Sequence, residues 1–262
     1  MNKRVLAVAA HPDDIEFMMA GTLFRLKAAG YDLHYMNVAN GDRGSEVYSQ
    51  QETAAIRREE ALHAAKFLGA HFHESICSDL EIVYTPELLQ KMTAVVREVA
   101  PDILLVQYPF DYMEDHCNAA RLAVSAAFCR GMKNWASVPP RDAINNEVAV
   151  YHAMPYGLLD PLRRAVTADI YVDIGTVLDL KREMLALHRS QKEWLDASQG
   201  MDSYLQEMEN QASACGRLSN TYQFAEGWIR HLHIGFSKAN NDPLSQLPDA
   251  QQSKSPRFEA IA

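Results

Sequence analysis

His11, Asp13, Asp14 and Glu16 place one imidazole and three carboxylates in a single short segment, the run AAHPDDIEF over residues 9–17. Imidazole nitrogen and carboxylate oxygen are good ligands for a divalent ion such as zinc. Two adjacent carboxylates let one hold the ion while the other stays free to take a proton. Pro12 has no N–H and a fixed φ, so it restrains the turn that carries them. The same residues would also serve as an acidic N-cap for a following helix. Taken alone, the segment supports either reading.

A second cluster, YPFDYMEDHCNAAR over residues 108–121, tips the balance. His116 is expected to open a helix that follows a strand and to point into the crevice occupied by His11. A lone histidine there would be a surface or capping residue. With His11 and one aspartate it makes a three-ligand set with a position open to water, as a catalytic ion requires.

Both clusters need strands to deliver them. Residues 5–10 (VLAVAA) form an uninterrupted apolar run, the pattern of a strand buried on both faces, and a helix is predicted over 15–29. Further strands are predicted over 33–39, 103–107, 147–152 and 169–173. Further helices are predicted over 51–68, 86–100, 116–130 and 178–195, with Gly69 and Pro101 as stops. Residues 196–215 read as a polar loop or helical insertion. This alternation predicts an α/β fold, a Rossmann-like three-layer sandwich around a mostly parallel sheet. In such sheets ligands sit at the carboxyl ends of the strands, where both clusters fall. The domain is expected to span 1–236. The polar segment 237–262, with Pro243, Pro248 and Pro256, is expected to be a linker, an oligomer arm or disordered.

Composition narrows the function classes. The 262 residues carry a formal net charge of −9, which disfavours phosphate backbones and anionic lipid surfaces. No apolar run approaches the roughly 20 residues that span a bilayer. The first strand mimics a signal peptide only until His11, Asp13 and Asp14 interrupt it. Cys77, Cys117, Cys129 and Cys215 show no CxxC spacing, which fits a reducing cytoplasm. No GxGxxG follows the first strand, so a dinucleotide enzyme is disfavoured.

AHPDDIE resembles the hallmark of the PIG-L (LmbE-like) deacetylases, metal-dependent hydrolases of N-acyl groups on sugars and related amines. The similarity extends to RREEALHAAKFLG at 57–69, Asp115-His116, HRSQ at 188–191 and FAEGW at 224–228. The resemblance implies that His11, Asp14 and His116 hold the metal, zinc first among divalent ions, and that Asp13 is the general base. It also implies a small N-acylated substrate and a homo-oligomer, hexamers being among the family's forms. One position departs from the pattern: many members have His-x-Asp-His, and here Met113 stands where the first histidine would. A thioether cannot donate a proton, so Tyr112, Asp111 and His188 become candidates for that role.

Arg43 and Arg57 could bind substrate hydroxyls or an anion, or simply form surface ion pairs. Tyr112, His188 and Gln191 complete the candidate substrate contacts. The pairs His231/His233, expected on a strand, and His71/His73 have metal-like spacing, but ordinary packing ranks ahead of a second metal site for both. The expected function is thus zinc-dependent hydrolysis of an N-acetyl sugar or sugar-derived amine. The alternatives are a hydrolase of another N-acyl amine or ester, or a metal-bearing binding protein that has lost catalysis.

Overall fold

The computed structural model describes residues 3–191 and 204–253. Its centre is an eight-stranded sheet in the order β3-β2-β1-β4-β5-β7-β6-β8. The strands are β1 (Arg4–Ala9), β2 (Asp32–Asn37), β3 (His71–His73), β4 (Ile103–Val106), β5 (Ala149–Ala153), β6 (Ile170–Asp173), β7 (Ala225–Arg230) and β8 (Ala250–Gln252). β3, β2, β1, β4 and β5 run parallel, whereas β7 runs against both β5 and β6, and β8 against β6. The fold is therefore the expected α/β class with a mostly parallel sheet.

The helices are α1 (Asp14–Met18), α2 (Ala20–Ala28), α3 (Gln50–Leu68), α4 (Pro86–Val99), α5 (Glu114–Cys129), α6 (Leu178–Leu185) and α7 (Tyr204–Ser219). Alternate residues of β1 feed opposite cores, since successive strand side chains point to opposite faces. Val5, Ala7 and Ala9 pack with α1, α2, α3, α6 and α7. Leu6, Val8 and Ala10 pack with α4 and α5. No helix among the described residues is long and apolar enough to cross a membrane.

Local signals set several boundaries. Ser49 and Glu52 form a capping box at the start of α3, and Gly69 ends it at φ 73°. Thr85 caps α4 just before Pro86. The helix expected over 15–29 is instead two, broken at Met19. The break creates a new helix start, and Glu226 on β7 accepts the freed N–H groups of Gly21 and Thr22. The helix expected over 178–195 stops at Leu185, and a further turn starts at Arg189. His188 sits in the gap.

Residues 237–253 are not a detached tail. β8 pairs with β6, and Leu244 and Leu247 are buried against the core. Two apolar residues spaced three apart sufficed to anchor a segment whose composition is otherwise polar. Residues 254–262 and 192–203 lie outside the described residues, so part of the insertion expected over 196–215 does too. Its remainder is helical, in α7.

Candidate metal centre and active site

β1 lies between β2 and β4, so the chain leaves the sheet in opposite directions on either side of it. That switch point opens a crevice at the strand ends. The turn after β1 brings in His11, Asp13 and Asp14, and the first turn of α5 brings in His116. One ligand atom from each of His11, Asp14 and His116 lies within 4.8 Å of the others.

The orientation of each ring is fixed from behind. His11 Nδ1 lies 3.5 Å from Asp14 Oδ2, while its Nε2 is 3.0 Å from Asp115 Oδ2. His116 Nε2 lies 3.3 Å from Asp14 Oδ1, while its Nδ1 is 2.9 Å from Asp111 Oδ1. An imidazole braced by a carboxylate through its far nitrogen is the usual support for a metal ligand. Asp115 is braced in turn by the N–H of Leu80 at 2.7 Å, and Asp14 accepts the N–H of His11 at 2.8 Å. Burial opposes charge on His11 and His116, yet the surrounding carboxylates raise their pKa values to about 9 and about 10. Burial likewise opposes the Asp14 anion, but His116 and His11 hold it well below the usual carboxylate range. This donor set suits a divalent cation: mixed nitrogen and oxygen, concentrated negative charge and prearranged rings.

Asp13 faces elsewhere. Its backbone adopts φ 112°, a conformation side-chain-bearing residues rarely adopt. Its Oδ2 accepts the Tyr204 hydroxyl at 2.7 Å, and its Oδ1 lies 3.5 Å from Arg57 Nη2. Burial raises its pKa to about 6 despite the pull of Arg57. Beside the ligand cluster opens a cavity of about 480 Å³, whose walls include Asp13, Phe17, Arg43, Met113, Tyr156 and Tyr204.

The other candidate residues divide. Tyr112 and Gln191 line the cavity. The Tyr112 ring stands edge-on to His116, with centroids 5.6 Å apart. Arg43 also lines it, its Nε donating to Asp79 O at 3.1 Å and its Nη2 to Glu81 at 3.3 Å. Arg57 is 3% exposed and donates to the carbonyls of Pro12 and Gly41. It lines the cavity too, but its guanidinium is committed to holding the HPDD turn to the loop after β2. Gly41 and Gly44 permit that contact, because a Cβ on either would lie within 2.7 Å of the Arg57 side chain. His188 is fully buried, 3.2 Å from Glu16 Oε1, behind the site rather than in its wall. Of the candidates for the missing donor, Asp111 is engaged by His116 and His188 by Glu16, and Tyr112 faces the cavity.

Tyr204 carries no sequence signal: it lies 191 residues from Asp13, on a helix in a polar stretch. Asp79 was also missed. It accepts the N–H groups of Gly41 and Arg43 and fastens the loop bordering the cavity. His231 and His233 lie past the end of β7, not on a strand, and the His231 ring instead meets His152 at 3.0 Å.

Residues 6–127 match the family model described as PIG-L: GlcNAc-PI de-N-acetylase. The diacetylchitobiose deacetylase of Thermococcus kodakarensis is 28% identical over 202 residues, covering 72% of this chain and 70% of that protein. The 4-oxalmesaconate hydratase of Pseudomonas putida is 26% identical over 189 residues, covering 68% and 70%. Among solved structures, GalB, the 4-carboxy-2-hydroxymuconate hydratase of Pseudomonas putida KT2440, superposes with a TM-score of 0.75 at 22% identity, covering 92% of this chain and 99% of that one. The motif-bearing segment and the deacetylase relative lead to one conclusion: over residues 6–127 the chain matches the PIG-L (LmbE-like) family.

Proposed function

We propose that this protein hydrolyses an N-acyl group, N-acetyl first, from a sugar or sugar-derived amine. The observation that carries the reading is a buried carboxylate, Asp13, standing free of the adjoining His11–Asp14–His116 cluster and lining the same cavity. Those three residues would hold the metal, with zinc the first choice for two imidazoles and a carboxylate. When bound there, such an ion supplies Lewis acidity toward water and toward the acyl carbonyl.

Asp13 takes the proton from the attacking water, then returns it to the leaving amine as the C–N bond breaks. A pKa near 6 suits both directions at neutral pH. Tyr204 and Arg57 hold the carboxylate in place for this. Tyr112 fills the place of the family histidine. Partial burial and the charges of Asp14 and Asp111 push its pKa up, so the phenol stays protonated and can donate to the developing oxyanion. Phe17, Tyr156 and Tyr112 give the cavity an aromatic wall on which a sugar ring can stack.

Asp13→Asn should retain zinc, measured by mass spectrometry, and lose acetate release from N-acetyl-chitooligosaccharides by about 10²–10⁴-fold. A variant as fast as the parent would remove Asp13 from the mechanism. The hydratase relative favours a second reading, water addition to an unsaturated oxo-carboxylate. Loss of conjugated ultraviolet absorbance on incubation with such a compound, without activity on any acetamide, would establish it instead. The proposal includes a homo-oligomer working in the cytoplasm, without nucleic-acid or membrane partners.

A further inference from the structure

Three of the ten histidines meet on the face of the sheet that α4 and α5 cover, at the β2–β3 edge. His71 and His73 share one face of β3 because they are two residues apart. The parallel register sets His34 beside His71, and Met36 beside His73. The ring centroid of His34 lies 4.9 Å from that of His71 and 5.2 Å from that of His73. His34 Nδ1 and His73 Nε2 are 2.9 Å apart. Sequence spacing alone could not single out this cluster, because its third member comes from another strand.

We infer that His34, His71 and His73 form a second metal site, separate from the crevice, for a divalent transition ion of the Zn²⁺ or Cu²⁺ type. Two imidazole nitrogens on one tetrahedral zinc, each bonded at about 2.05 Å, stand about 3.3 Å apart. The His34–His73 nitrogens are already within about 0.4 Å of that separation, so an ion can replace the shared proton once the two rings tilt toward it. The His71 ring, centred 4.9 Å from that of His34, is exposed and would have to turn to bring a nitrogen to the ion as third ligand, leaving the fourth position to water. The negative charges of Glu98, near His73, and Asp32, near His34, favour a cation there, against the opposing charge of Arg4. The site lies level with Leu6 and Val8 of β1, below the strand ends that carry His11 and Asp14. It would pin the three-residue edge strand to the sheet.

Metal-free chain titrated with Zn²⁺ against a chromogenic chelator should bind two equivalents. His11→Ala/His116→Ala should bind one, and His34→Gln/His73→Gln should also bind one while keeping the parent's hydrolytic activity. Cu²⁺ added to His11→Ala/His116→Ala should give an electron paramagnetic resonance spectrum with imidazole nitrogen splitting. Adding His34→Gln/His73→Gln to that background should abolish it. Circular dichroism checks folding, and the exposed single change His71→Gln should weaken Cu²⁺ binding at least tenfold if the double change does not fold. One equivalent in the parent, or a Cu²⁺ signal indifferent to His34, His71 and His73, would overturn the assignment. A loss confined to the His11/His116 site would instead count against the proposed hydrolytic centre.

Discussion

Replacing Glu226 with glutamine should destabilise the fold by about 3–5 kcal/mol without touching a metal ligand. Glu226 is 5% exposed on β7. It accepts the N–H groups of Gly21 at 2.9 Å and Thr22 at 2.7 Å, and Lys181 Nζ lies 2.5 Å away. Lys181 is itself 2% exposed. The amide preserves the shape but leaves the lysine without a counter-charge and turns an NH₂ toward groups that can only donate. Removing one partner of a buried ion pair costs far more than removing both. At ~2–4 °C per kcal/mol for a chain of this size, the Tm should fall by about 6–20 °C. Urea unfolding of the parent, Glu226→Gln, Lys181→Met and the double variant completes the cycle, and the double variant should be more stable than Glu226→Gln alone. A Glu226→Gln chain within about 1 kcal/mol of the parent, or a double variant less stable than the single, would refute the reasoning. The same contact explains why residues 224–228 pair an acid with an aromatic: Trp228 Nε1 donates to Thr22 Oγ1 at 2.9 Å, a second tie to the start of α2.

Tyr112→Phe should lower kcat on an acetylated sugar by about 10–100-fold with little change in KM, since an oxyanion donor acts mainly in the transition state; an unchanged kcat would mean that the donor is another group. Stability should also depend on His152, whose pKa is lowered to about 4, chiefly by burial and further by His231. Because the folded pKa lies below the unfolded one, the unfolded chain binds the extra proton. Stability from this group is complete above pH ~6.5 and declines by about 3 kcal/mol as pH falls toward 4. Urea unfolding at pH 7 and pH 4.5 should show a smaller decline in His152→Asn than in the parent. Equal declines would show that His152 is not protonated on unfolding.

The candidate site motif was legible because its chemistry is local. His11, Pro12, Asp13 and Asp14 are consecutive, and the short turn after β1 leaves their relative placement few alternatives. The apolar run ahead of them marked a strand buried on both faces, as Val5 and Leu6 show by feeding opposite cores. The exchange of histidine for Met113 was equally visible in the sequence. Composition misled where few residues decide the outcome: the polar segment after Phe236 is held by Leu244 and Leu247 and supplies an eighth strand. Helix periodicity likewise carried 178–195 across the gap at His188, a gap that buries the imidazole against Glu16.

From the sequence by itself come the α/β alternation, the family resemblance and the residue types of the candidate metal cluster, since these rest on side-chain chemistry and short-range order. The tertiary structure alone assigns Asp111 and Asp115 to the backs of the two imidazoles, and Tyr204 to Asp13 from 191 residues away. It also withdraws His188 from the cavity, ties Arg57 to the carbonyls of Pro12 and Gly41, and sets His34 beside His71 and His73. Each of these depends on strand order and helix docking. Those are set by the burial of apolar surface shared among many residues, a sum that no single motif expresses.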